Sequence, residues 1–150
     1  RDPSVHLDRH VGVEEMDDAL GEADYVVVAA PATPENIGLV DVSVFAYMKP
    51  GTYIVNIARG PVIDYDALLA ALRDGRVAGA GLDVFWNEPF DPDDPLFKEN
   101  VIATPHIAGV TERSLVGIGK AVAANIECVR KGEVPVCCVN PEAGRGRLRP

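Results

Sequence analysis

Four side chains suited to chemistry stand at comparable places in the chain: Arg59, Asp83, Glu88 and His106. Each follows a short apolar run. Arg59 lies in "NIARG" (56–60), Asp83 and Glu88 in "LDVFWNEP" (82–89), and His106 in "PHIAG" (105–109). The planar fork of an arginine matches a carboxylate through two parallel hydrogen bonds. A histidine titrates near neutrality, so it can give or take a proton at a carbonyl or hydroxyl oxygen. A carboxylate beside it stabilises the imidazolium. Such groups together suit a 2-oxo or 2-hydroxy acid, clamped at its carboxylate while the adjacent oxygen gains or loses a proton. No side chain supplies the accompanying hydride, so the chemistry requires a cofactor.

Each residue also has an ordinary reading. Arg59 can be a surface arginine in a turn before Gly60, Asp83 a turn cap, Glu88 a solvated loop carboxylate and His106 a packed, backbone-bonded histidine. Taken singly, these readings are the better ones. Taken together, they require the same coincidence at successive strand ends of one sheet.

The elements that must position these residues follow from the hydrophobic pattern. "DYVVVAA" (24–30), "TYIVNIA" (52–58), "VAGAGLDVF" (77–85) and "NVIAT" (100–104) read as strands, the first as a strand buried on both faces. Between and around them lie helical stretches at 14–23, 41–48 and 64–75, the last with Gly75 as its C-terminal cap. A long helix runs from about Glu112 to Arg130, with Thr111 at its N-cap and Leu115, Ile118, Val122, Ile126 and Val129 on one face. Strands alternating with helices predict βαβ units, an α/β fold with a doubly wound parallel sheet, and helices on both faces. In such a sheet ligands bind beyond the carboxyl ends of the strands, which is where the four residues fall.

Composition narrows the partners. The chain has 150 residues and a formal net charge of −9, which disfavours nucleic acid and anionic membranes as partners but leaves room for a small anion held by one or two cations. No apolar run reaches the length of a membrane span, and no signal peptide is expected from the opening residues. The three cysteines, Cys128, Cys137 and Cys138, do not make a disulfide framework, and a cytoplasmic, reducing setting is expected. No Cys/His spacing suits zinc, and the prolines in "EPFDPDDPLF" (88–97) break the ligand spacing of a calcium loop, so no metal is expected. His6 and His10 read as exposed, and the tail "GRGRLRP" (144–150) as disordered. The opening "RDP" reads as the middle of a longer protein.

"VNIARGPVIDYDALLAALRDGRVAGAGLDVFWNEP", followed by "NVIATPHIAG", resembles the D-isomer-specific 2-hydroxyacid dehydrogenases. The resemblance runs from Asp2 to about Glu142 and rests on three linked motifs. It implies a Rossmann-like NAD-binding domain, an oxidoreductase acting on a small 2-oxo or 2-hydroxy acid, and a homodimer in the full-length parent. It also implies roles. Arg59 would bind the substrate carboxylate, His106 would be the acid/base and Glu88 would pair with it. Asp83 would hold the nicotinamide carboxamide. Ile57, Ala58, Ala108 and Gly109 would lie along the nicotinamide ribose and ring, beside Arg59 and His106. Ala30 stands where many relatives carry a hydroxyl or imidazole residue along the cofactor. Asp2 would accept the adenosine ribose hydroxyls, which selects NAD because a carboxylate repels a 2′-phosphate.

The resemblance also implies what is expected outside these residues. By it, the glycine fingerprint belongs before the strand ending at Asp2, so the first strand–helix unit is expected to be absent from the given stretch. "GAG" (79–81) leads into a strand and cannot cradle a pyrophosphate. Residues 1–133 are then a partial dinucleotide-binding domain, and 134–150 a segment returning to a separate substrate domain. The fragment alone is expected to be inactive. The rival reading is a dinucleotide-sensing scaffold resembling the C-terminal-binding corepressors, without metabolic turnover.

Overall fold

A computed structural model describes residues 7–140. The chain divides between Ile107 and Ala108 into two compact units. The first holds four parallel strands, β1 (Tyr25–Val28), β2 (Thr52–Asn56), β3 (Val77–Leu82) and β4 (Val101–Ala103), in the order β1-β2-β3-β4. Three helices accompany them: α1 (Met16–Glu22) before β1, α2 (Val42–Tyr47) before β2 and α3 (Tyr65–Arg73) before β3. All four predicted strands and the three predicted helices of this unit are present, with shorter bounds because the ends of each apolar run turn into loop.

Local chemistry starts and stops these helices. Asp41 caps α2 by accepting from the amides of Ser43 and Val44, and Asp64 caps α3 by accepting from Ala67. Gly75, just past α3, has φ +79°, the left-handed region where a residue without Cβ carries no strain. Helix α1 packs on α2, α2 on α3 and α3 on β3. Successive right-handed crossovers running in one direction across the sheet deliver their helices to one face.

The register shows which face. Val26, Ile54, Ala80 and Val101 stand abreast, as do Val28, Asn56, Leu82 and Ala103. These two rows face α1–α3 and meet the apolar core of Leu20, Phe45, Met48, Val62, Ile63 and Leu68. The alternate rows, Tyr25 with Tyr53 and Val27 with Val55, Gly81 and Ile102, face the other way. Tyr25 is 70% exposed and Ile102 74%. The first strand therefore alternates instead of being buried on both faces, which corrects the expectation from its continuous apolar run. Helices α1–α3 cover one face of the sheet, and every second residue of β1 points off the other. Gly79 and Gly81 lie inside β3, as the reading of "GAG" requires.

The second unit carries α4 (Glu112–Arg130). Its start is a capping box: Thr111 Oγ1 accepts from the Ser114 amide at 3.1 Å, and the Thr111 amide donates to Ser114 Oγ at 2.8 Å. Among the described residues no helix is long and apolar enough to cross a membrane. Asp2 and the 144–150 tail lie outside the described residues.

Candidate active site

The row Val28, Asn56, Leu82 and Ala103 is the last of all four strands, so the loops that follow leave the sheet side by side. One loop begins at Ala29, the next is Ile57–Arg59, the third starts at Asp83 and the fourth carries Thr104 to His106.

Asn56 shapes the second loop. It is fully buried, and a buried amide must satisfy both its ends. Its Oδ1 accepts from the Ala58 amide at 3.0 Å, and its Nδ2 donates to the Arg59 carbonyl at 3.0 Å. The backbone carbonyl of Asn56 accepts from the Asp83 amide at 3.1 Å. One side chain thus folds the arginine loop back on itself, and the same residue ties β2 to the start of the next loop. Ala58 is buried, whereas Ile57 and Arg59 are exposed. Gly60 follows Arg59 and is buried against the neighbouring loop. A Cβ there would stand 2.1 Å from the carbonyl carbon of Phe85 and 2.4 Å from the Trp86 nitrogen, so only glycine fits.

Asp83 is 6% exposed and anchors the fourth loop. Its Oδ1 accepts from Thr104 Oγ1 at 2.6 Å and from the Ile107 amide at 2.9 Å. These bonds bracket His106, whose backbone adopts φ 54° while its amide donates to the Thr104 carbonyl at 2.9 Å. A non-glycine residue in that left-handed region is uncommon and needs surrounding contacts to hold it. The two Asp83 bonds, one on either side, supply them.

Glu88 and His106 meet. Glu88 Oε2 lies 2.8 Å from Nδ1 of His106, and Glu88 Oε1 accepts from the Phe85 amide at 3.1 Å. Each carboxylate oxygen therefore has one fixed partner. The imidazole beside it, the Phe85 amide and, more weakly, the charge of Arg59 hold the Glu88 carboxyl below the usual carboxylate range, against a small opposing effect of burial. Glu88 is thus ionised at neutral pH. With Nδ1 engaged, Nε2 is the ring nitrogen left for other chemistry. Arg59, Glu88 and His106 stand on the loops that follow β2, β3 and β4, whose last residues stand abreast. The Glu88–Pro89 bond is cis.

A cleft of about 440 Å³ opens beyond β1 and β2, lined by Ala29, Ala30, Pro31, Ile57, Ala58 and Arg59. Its walls are mostly small side chains, with one cation at the edge. The sites predicted at Ala30, Ile57, Ala58 and Arg59 therefore line one cleft, with Asp83, Glu88 and His106 on the neighbouring loops. Ala108 and Gly109 begin the second unit, where the Gly109 carbonyl accepts from Ser114 Oγ. Among the described residues no group of three or more His, Cys, Asp and Glu is placed to hold a metal. The acidic residues of the 88–97 loop cap turns instead: Asp91 accepts from the Asp93 amide, and Asp94 from the Leu96 amide.

The residue pattern did not single out Asn56, Gly60 or Trp86 as positioning groups, whereas Thr104 reads as ending the strand so that His106 faces the cleft. A signal existed for the first: an amide closing the otherwise apolar run "TYIVN" must be satisfied where it is buried.

Known proteins resemble this chain in sequence and in fold. The chain is 41% identical to a glyoxylate reductase of Thermococcus onnurineus over 142 residues, covering 95% of this chain and 42% of that protein. It is 41% identical to a D-3-phosphoglycerate dehydrogenase of Archaeoglobus fulgidus over 136 residues, 87% of this chain and 26% of that one. The chain thus spans less than half the length of these relatives. Among solved structures, a D-isomer specific 2-hydroxyacid dehydrogenase from Xanthobacter autotrophicus Py2, in complex with NADPH and MES, superposes with a TM-score of 0.73 at 38% identity, covering 89% of this chain and 55% of that one. Residues 2–108 match the NAD binding domain of the D-isomer specific 2-hydroxyacid dehydrogenases, and the chain belongs to that family.

Proposed function

We propose that the protein is an NAD-dependent oxidoreductase that interconverts a 2-oxo acid and a D-2-hydroxy acid, with Arg59, Glu88 and His106 as its working side chains. The observation that carries this reading is the 2.8 Å pair of Glu88 with His106 Nδ1, on loops that leave the sheet beside the loop carrying Arg59. NADH, when bound, supplies the hydride. In the direction of reduction, Arg59 holds the substrate carboxylate through its guanidinium. His106 gives the Nε2 proton to the carbonyl oxygen as the adjacent carbon receives the hydride. Glu88 accepts the hydrogen bond from Nδ1–H and so fixes the ring. In oxidation His106 takes the hydroxyl proton back.

Ile57, Ala58 and Ala30 are assigned to the nicotinamide end of the cofactor because they line the cleft of small residues, and Asp83 because its amide is tied to Asn56 at the end of the strand before that loop. Because the chain spans 42% of the glyoxylate reductase it resembles, turnover is assigned to the polypeptide as a whole and not to this domain alone. A homodimer is proposed for the whole protein.

The test is NADH oxidation by the intact protein against a panel of 2-oxo acids that includes glyoxylate and hydroxypyruvate. Turnover of at least one is expected. Tight NADH binding without turnover of any would overturn the assignment and favour a dinucleotide-sensing role.

A further inference from the structure

We propose that Trp86 is a positioning residue for the Glu88–His106 pair, latching the loop that carries Glu88 to the turn that follows Arg59; this rests on the acid/base reading above. Trp86 is the chain's only tryptophan. Its indole Nε1–H donates to the carbonyl of Ile63 at 2.7 Å. Ile63 is fully buried, so its carbonyl has little other recourse than the indole. The same indole meets the ring of Tyr65 edge-on, with centroids 5.1 Å apart and planes at 89°. Tyr65 in turn donates its hydroxyl to Asp94 at 2.5 Å, and burial together with that carboxylate pushes the phenol up to about 12, so it stays a donor.

The latch acts at both ends of the site. On one side, the turn Gly60–Val62 begins directly after Arg59 and ends at Ile63, the acceptor of the indole. On the other, residue 86 sits between Phe85, whose amide fixes Glu88 Oε1, and Glu88 itself. The backbone of Phe85 and Trp86 also rests on Gly60, too close for any side chain there. The two loops therefore touch through backbone at Gly60 and are locked by the indole three residues further on. Simple packing would need only the aromatic ring. The directed N–H bond fixes the rotation of the 85–88 segment, and with it the direction in which Glu88 presents Oε2 to His106.

The test is Trp86→Phe in the intact protein, with Tyr65→Phe for comparison. Trp86→Phe keeps an aromatic ring and removes the donor. The expected result is a fall in kcat for 2-oxo acid reduction of roughly tenfold, the scale of one hydrogen bond, with KM changed much less. The high-pH limb of the rate profile should move toward acid as the carboxylate loses its place beside the imidazole. Tyr65→Phe should lower the thermal midpoint without moving the profile. A Trp86→Phe profile at the wild-type position, whatever the thermal midpoint does, would overturn the proposal. The imidazole titration of His106, followed by NMR in both forms, separates this from the parent reading: it reports the latch even if no 2-oxo acid is turned over. In the wild-type protein the indole N–H should also exchange slowly with solvent. Fast exchange would overturn the latch independently of whether the variant folds.

Discussion

Glu88 and His106 lie 18 residues apart, with β4 between them, yet their side chains meet at 2.8 Å. The contact exists because parallel strands β3 and β4 end abreast, so the loops leaving them start from neighbouring points. Asp83 then bends the second loop back through Thr104 and Ile107, which turns His106 toward Glu88. A pair built this way depends on backbone geometry that the sheet fixes before any ligand arrives.

Replacing Glu88 with Gln should move the high-pH limb of 2-oxo acid reduction toward acid, because a neutral amide no longer favours the imidazolium. The pH dependence of kcat/KM in the two enzymes checks this, and an unmoved limb would separate Glu88 from the acid/base function. Stability gives a second reading. The folded carboxyl titrates below its ordinary 4.5, so the pair stabilises the fold fully above that value and loses its effect as pH falls through the lower, folded value. The difference in thermal midpoint between wild type and Glu88→Gln should therefore shrink with acidification below pH 4.5.

Replacing Arg59 with Ala should lower kcat/KM for 2-oxo acids by on the order of 10²-fold or more, since a charge-assisted pair of hydrogen bonds is lost. Arg59→Lys should recover only part of it, because an ammonium cannot reproduce the two-pronged geometry. NADH affinity measured by calorimetry should change far less than substrate KM in both variants. Equal losses in the two would place Arg59 at the cofactor instead.

Asp83→Ala should destabilise the protein by on the order of 2 kcal/mol, because the Ile107 amide and the Thr104 hydroxyl lose their acceptor. Asp83→Asn keeps an acceptor oxygen and should be milder. Denaturant unfolding of the two variants distinguishes them. An alanine variant as stable as the asparagine one would mean that the His106 loop is held by other contacts.

Much of this arrangement was legible in the residues. Largely apolar runs of five to nine residues marked every strand, because a parallel strand packed against helices draws on apolar residues. Their alternation with capped helices fixed the direction of the sheet, and that direction placed Arg59, Asp83, Glu88 and His106 at one end. What the pattern concealed was local. "YVVV" carries no polar residue on its uncovered face, so hydrophobicity could not report that Tyr25 and Val27 point away from the helices. The left-handed backbone of His106 and the cis bond before Pro89 leave no mark in composition. The inward turn of the Asn56 amide depends on which carbonyl and amide come within its reach, and these are known only once the loops are closed.

In the proposed mechanism His106, oriented by Glu88, moves the proton that accompanies hydride transfer. Steady-state NADH oxidation with a 2-oxo acid substrate, compared between the intact wild-type protein and His106→Ala, checks this step. A fall in kcat of about 10²–10⁴-fold is predicted, the contribution of a positioned general acid. Turnover by the alanine variant near the wild-type rate would contradict it.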